Sequence, residues 1–247
     1  MNTDKPRIAL SIAGSDSGGG AGIQADQRVF QAHGWFCATA ITAITAQNSA
    51  QVVRVHPVGP DLLSEQLQAI LDDFHVGVVK IGMLSTAENA AVVAHFLPAF
   101  QAPVVFDPVL RASAGPTLSV SDGFERLFPL CTLITPNRRE AEILSGGAPE
   151  AWAARQPCAV LITGGDEPGD SVVDRLFFSA EVRDFVGRRI PGPPVHGTGC
   201  TLASAIAAQL GRGTGLTAAV EAGIQFTRNA IANAVSLGAG ARVLVGN

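Results

Sequence analysis

The chain is poor in charge, in cysteine and in long apolar runs, and each shortage excludes something. Charged residues fill 15% of its 247 positions, and 17 basic against 21 acidic side chains leave a net charge of −4. No basic run exceeds the pairs Arg138-Arg139 and Arg188-Arg189. The basic face with which proteins grip nucleic acid is therefore not expected. No apolar run reaches the ~20 residues of a membrane helix, and TAITAITA is short and laden with threonine. The opening MNTDKPRIALSIAG shows no cleavable apolar core behind basic residues, so no secretory signal is read. The four cysteines, Cys37, Cys131, Cys158 and Cys200, form no CxxC pair. Reduced thiols in a cytoplasmic protein are the expectation. No histidine pair has metal-ligand spacing, which excludes a zinc site; His33, His56, His75 and His95 read as surface or structural.

What is present is an alternation of apolar runs with helical periodicity. RIALSIAG reads as a buried strand and GIQADQRVFQAHG as a helix closed by Gly34. CATAITAIT and QVVRVHPV read as strands. PDLLSEQLQAILDDF reads as an amphipathic helix with Leu62, Leu63, Leu67, Ile70 and Leu71 on one face. VGVVKIG is a strand, and STAENAAVVAHFL a helix with Ser85 as N-cap and Glu88 three residues on. PVVFDPV, CTLITPN and CAVLITGG are strands, SVVDRLFF and EVRDFVGRRI a hairpin. TGCTLASAIAAQLG and LTAAVEAGIQFTRNAIANAVSLG are closing helices. The alternation predicts an α/β fold, a mostly parallel central sheet covered by helices on both faces. No linker or repeat divides it, so one domain is expected over residues 1–247. Ligands of such sheets sit at the carboxyl ends of the strands, where this chain places its glycines and prolines.

Two of those strand ends stand out. The first, AGSDSGGGAGIQAD, fits neither the dinucleotide fingerprint nor a Walker A loop, since no G-x-G-x-x-G and no Gly-Lys-Ser/Thr can be placed on it. It serves either as a tight strand-to-helix turn or as a wall that lets backbone approach a flat ligand, with Asp16 or Asp26 as polar contact. In the second, HGTGCTLASAIA, residues Gly197, Thr198 and Gly199 offer free N–H groups at a helix start, where the dipole favours an anion such as phosphate. Cys200 lies in that first turn, a position that lowers a thiol pKa. Asp107 and Glu140, each just past an apolar strand, are the carboxylates best placed for Mg²⁺ on a nucleotide, which needs only one or two. Glu140 could equally serve the dipole of its own helix.

Taken together, AGSDSGGGAGIQAD, TAITAQNS, KIGML, FDPV, LITPNRREAE and HGTGCTLASAIA resemble the ribokinase-like superfamily, and within it the hydroxymethylpyrimidine/phosphomethylpyrimidine kinases of thiamine biosynthesis. The resemblance spans Ile8 to about Gln225. It implies transfer of a phosphoryl group from ATP, with Mg²⁺, to 4-amino-5-hydroxymethyl-2-methylpyrimidine and then to its monophosphate. It places Gly14, Ala21 and Asp26 around the pyrimidine, Gln47 on its amino edge and Met83 on its ring. Gly197, Gly199 and Cys200 become the catalytic anion hole and base, Cys200 standing where related sugar kinases carry an Asp. Asn137, Thr198 and Thr163 would touch the nucleotide, Asp107 and Glu140 the metal, and the adenine would lie between ITGGD and the last helix. A homodimer built on TAITAITAQNS and VVRVHPV is also implied.

The chain departs from that pattern in two places. Thr163 stands where relatives carry a Lys before paired glycines, and Ser113 in ASAG replaces another. Arg111 and Arg138 are the candidates to restore the charge. The segment from Gly146 to Gln156 is short, which implies a reduced helix. Two other readings stay open at this point: a pyridoxal/pyridoxine kinase, and a pyrimidine-binding sensor without turnover. Gln47 beside Asn48 favours the aminopyrimidine, because an amide pairs with both a ring nitrogen and an exocyclic amine.

Overall fold

In the computed structural model, residues 7–110, 119 and 121–245 are described. The first half runs β1 (Arg7–Asp16), α1 (Gly22–Ala32), β2 (Trp35–Gln47), β3 (Val52–Pro57), α2 (Pro60–Asp73), β4 (Val76–Ile81), α3 (Ala87–Phe100) and β5 (Val104–Phe106). It continues through β6 (Leu133–Ile134), α4 (Arg138–Ser145), α5 (Pro149–Ala153), β7 (Ala159–Ile162), β8 (Ser171–Phe178) and β9 (Glu181–Arg188). β10 (Val195–His196), α6 (Thr198–Leu210), α7 (Leu216–Ala232) and β11 (Arg242–Val243) complete it.

Nine strands form one sheet in the order β3-β2-β1-β4-β5-β6-β7-β8-β9. The interior pairs from β2 to β7 are parallel, and β3, β8 and β9 are added antiparallel at the edges. Strand alternation sorts the apolar side chains into two layers. Leu10, Ile12, Val79, Ile81 and Phe106 face a core covered by α2, α3 and the short α4 and α5. Ala9, Val78, Val105 and Leu133 face a core covered by α1, α6 and α7. The expected fold is thus present, down to the reduced helical segment around α5.

Two local expectations are corrected. Leu62 is 54% exposed: the buried stripe of α2 runs Leu63, Leu67, Ile70, and position 62 lies about 100° off it. Ser85 does not cap α3. It has φ +72°, and the cap is Thr86, whose Oγ1 accepts from the Asn89 N–H at 3.2 Å. The four cysteines are free thiols.

Candidate active site

A cavity of about 1210 Å³ opens at the carboxyl ends of the parallel strands. Gly14, Ala21, Gln47 and Met83 line one end. Gly197, Thr198, Gly199 and Cys200, the start of α6, line its middle together with Asp107. Asn137, Glu140 and Thr163 line the far side, and the cavity continues between Gly165–Asp166 and Ala222 and Gln225 of α7. The two glycine stretches therefore face one space, as expected.

They also touch each other, which is why glycine is needed. Gly197 has φ +85°, and a Cβ there would stand 2.0 Å from the carbonyl oxygen of Gly20. Gly22 has φ +58°, and its Cβ would stand 2.2 Å from the carbonyl oxygen of Gly14. A side chain at either place collides with backbone in a conformation L-residues rarely adopt. Asp16 shapes the loop between them. Its Oδ1 accepts from Gly18 N–H, and its Oδ2 from Gly20 and Ala21 N–H, at 2.8, 3.0 and 2.9 Å. Burial alone would raise its pKa, but hydrogen bonds from His196 and from the loop N–H groups outweigh that and hold it below the ordinary carboxylate range.

The carboxylates at the middle and far side behave differently. Glu140 closes a capping box on α4. Asn137 Oδ1 accepts from Glu140 N–H, and Glu140 Oε2 from Asn137 N–H, both at 2.9 Å. Its other oxygen accepts from Leu110 N–H at 3.3 Å. With Asn137 Oδ1 committed to the cap, its amide nitrogen is left for a ligand. Burial, reinforced by Asp107, raises the Glu140 pKa to about 8. Burial raises Asp107 to about 6, against the pull of Lys80. Asp107 Oδ2 is buried with no hydrogen-bond partner among the described residues. An unpartnered carboxylate oxygen beside a second carboxyl that resists ionisation is a pair short of positive charge. The residues fit a divalent cation held by two carboxylates and its own waters, although no group of three potential ligands occurs among the described residues.

Other expectations are corrected. Asp26 does not reach the cavity. It has no exposed surface, and its carboxylate holds Lys80 Nζ at 2.9 Å, Ser11 Oγ at 2.6 Å and Ser204 Oγ at 2.9 Å. Cys200 is not a thiolate. Burial, with the negative charges of Asp107 and Asp26, pushes its pKa to about 12 against the pull of Lys80. Arg138 is engaged by Glu150, Glu142 and Glu167 and does not line the cavity, so it restores no charge there. Arg111 and Ser113 lie outside the described residues.

The sequence reading missed Lys80, wholly buried on β4, and Asp174, whose Oδ1 accepts from Gly164 N–H at 3.0 Å on the cavity wall. It left His196 open. That ring lines the cavity, with Nε2 2.9 Å from Gln47 Nε2.

This fold and cavity have known counterparts. The family model described as phosphomethylpyrimidine kinase matches residues 16–244. The hydroxymethylpyrimidine/phosphomethylpyrimidine kinase of Rhizobium meliloti is 43% identical over 92% of this chain and 91% of its own length. The chloroplastic thiamine biosynthetic bifunctional enzyme of Arabidopsis thaliana is 42% identical over 90% of this chain, which spans only 46% of that longer protein. Among solved structures, the phosphomethylpyrimidine kinase of Clostridium difficile superposes with a TM-score of 0.76 at 33% identity, covering 91% of this chain and 99% of that one. A Bacillus subtilis pyridoxal kinase in complex with ADP reaches 0.87 at 32% identity, with 97% of each chain covered. With the family model matching residues 16–244 and the Rhizobium meliloti relative 43% identical over nearly the whole of both chains, the chain belongs to the phosphomethylpyrimidine kinase family.

Proposed function

We propose that this chain, acting as one kinase domain, transfers the γ-phosphoryl group of ATP to the hydroxymethyl group of 4-amino-5-hydroxymethyl-2-methylpyrimidine, and then a second phosphoryl group to the monophosphate. The observation that carries this reading is one continuous cavity with the Gln47 amide at one end and the N–H cradle of Gly197–Cys200 in the middle. Gly14 and Met83 form a flat wall: a Cβ on Gly14 would stand 2.9 Å from Met83 Cε and would shift the end of the thioether that we assign to cover the ring. Nucleotide use is supported by the ADP complex of the Bacillus subtilis neighbour. Thr198, Asn137 and Thr163 are the groups we assign to the phosphates of ATP.

Phosphoryl transfer depends mainly on positioning and on stabilising charge. The helix start supplies both, with N–H groups fixed before the substrate arrives. Asp107 and Glu140 would hold Mg²⁺, which neutralises phosphate charge. Cys200 is the group we assign to accept the hydroxyl proton, from the small fraction of enzyme in which its thiol is ionised, since burial holds that thiol largely protonated. General base catalysis by so reluctant a group belongs at the low end of its usual range, roughly 10²-fold. We also infer that two copies pair along the β2–β3 edge, where Ile44 is 54% and Val53 70% exposed. Among the described residues no helix is long and apolar enough to cross a membrane.

The test is product analysis with ATP, Mg²⁺ and the pyrimidine, with pyridoxal in parallel because pyridoxal kinases share the fold. Monophosphate followed by pyrophosphate is expected, with Cys200→Ala slower by about 10²-fold or less. Pyridoxal 5′-phosphate as the main product would transfer the chain to the other substrate. Tight pyrimidine binding without ADP release would make it a sensor.

A further inference from the structure

Beside the stretch of cavity that runs between Gly165–Asp166 and α7, one guanidinium holds three carbonyl groups of a single loop. Arg189 Nε donates to Gly169 O at 2.6 Å, Nη1 to Gly165 O at 2.7 Å, and Nη2 to Glu167 O. Sheet topology brings them together. β9 runs antiparallel to β8, and the ladder ends where Arg188 faces Ser171. Arg189 therefore lies beside the segment that leads into β8, and its own N–H donates to Asp170 O at 2.7 Å. Arg138 and Arg175 pair with carboxylates, whereas the Arg189 side chain meets only carbonyls among the described residues.

The loop so held is part of the cavity wall. Gly165, Asp166 and Arg189 itself line it, next to Thr163. The loop leaves β7 from fixed backbone: Thr163 N–H donates to Pro136 O and Gly164 N–H to Asp174 Oδ1, both at 3.0 Å. The next two N–H groups, of Gly165 and Asp166, meet no acceptor among the described residues. A guanidinium is a planar fork of donors in rigid geometry. Three bonds to it fix the spacing of three carbonyls as well as their direction, and so the course of the backbone that carries those two free donors.

We propose that Arg189 is a positioning residue for the nucleotide: by gripping Gly165, Glu167 and Gly169 it holds the loop in the shape that leaves the N–H groups of Gly165 and Asp166 available to oxygen atoms of ATP. A loop ordered before the ligand arrives removes an entropy cost that binding would otherwise carry. This inference rests on the kinase reading of the cavity, with ATP lying against Gly165 and Asp166, and not on which hydroxymethyl compound accepts the phosphoryl group.

The experiment titrates ADP with Mg²⁺ into the unmodified enzyme, Arg189→Ala and Arg189→Lys by calorimetry, and measures kcat and KM for ATP and for the pyrimidine. A single ammonium does not span three carbonyls, so Lys should fail nearly as Ala does; it also covers the case in which the Ala variant does not fold. In both variants ADP affinity should fall, and the ATP KM rise, by roughly 10- to 100-fold, the loss of one charge-assisted hydrogen bond. The pyrimidine KM, and kcat at saturating ATP, should move less than about twofold. Unchanged ADP affinity, full rescue by Lys, or an equal rise in both KM values overturns the role of Arg189. Failure of the unmodified enzyme to bind ADP overturns the kinase reading itself, and is seen before any variant is compared.

Discussion

Asp26 gathers an ammonium and two hydroxyls in a place that water does not reach. Its charge is matched by Lys80, whose pKa burial lowers but the neighbouring carboxylate raises further, so the ammonium stays charged. Removing one partner of a buried pair leaves the other uncompensated, at about 3–5 kcal/mol. Asp26→Asn is therefore expected to lower Tm by on the order of 10 °C, while the pyrimidine KM of the folded enzyme at low temperature moves less than about twofold. Calorimetry and initial rates check it; a raised KM at unchanged Tm would return Asp26 to the substrate. The burial was legible in principle. Asp26 and Phe30 are four apart on α1 and share the face that Ile23, Val29 and Phe30 turn inward. Lys80 interrupts an otherwise apolar strand, a pattern that calls for a buried counter-charge. Cys200 was less legible. The helix start is visible in HGTGC, but the carboxylate that opposes a thiolate arrives from the end of β5, and no local pattern announces it.

The ends of α3 separate two adjacent residues with similar side chains. Thr86 has extended backbone and caps; Ser85 sits at positive φ and gives its N–H to Ser119 Oγ at 3.0 Å. Thr86→Ala should cost about 1 kcal/mol in urea unfolding, and Ser85→Ala only a few tenths. The reverse ranking would restore Ser85 as the cap. Helix and strand runs were readable because apolar spacing is a property of the element alone. The choice between Ser85 and Thr86 was not, since it depends on the angle at which the chain leaves β4. Likewise CTLITPN shows that a strand exists, but not that its ladder shrinks to Leu133 and Ile134 before Pro136.

For the molecule as a whole, Asp107 and Glu140 link stability to pH. Both keep their protons to higher pH when folded, about 6 and about 8, than in the unfolded chain. Their contribution is complete below about pH 4 and is lost as pH rises through those values. Without divalent cations, Tm should fall between about pH 5 and pH 8. Glu140→Gln keeps an N3 partner for the capping box but has nothing to ionise, so its decline should be shallower, and its turnover with Mg²⁺ lower. A curve parallel to that of the unmodified protein would clear Glu140 of the effect.

The contact between Gly20 and Gly197 also sets an order of events in synthesis. All nine strands of the main sheet are complete by Arg188, before α6 exists. A chain emerging from the ribosome has therefore made every strand of that sheet while its first glycine loop has no α6 to meet, and the apolar face that α6 and α7 cover still lies open. A fragment ending just after β9 would carry all of those strands and lack both the site and the helices that cover one face of the sheet. In this architecture the ability to hold a substrate is the last property the growing chain acquires.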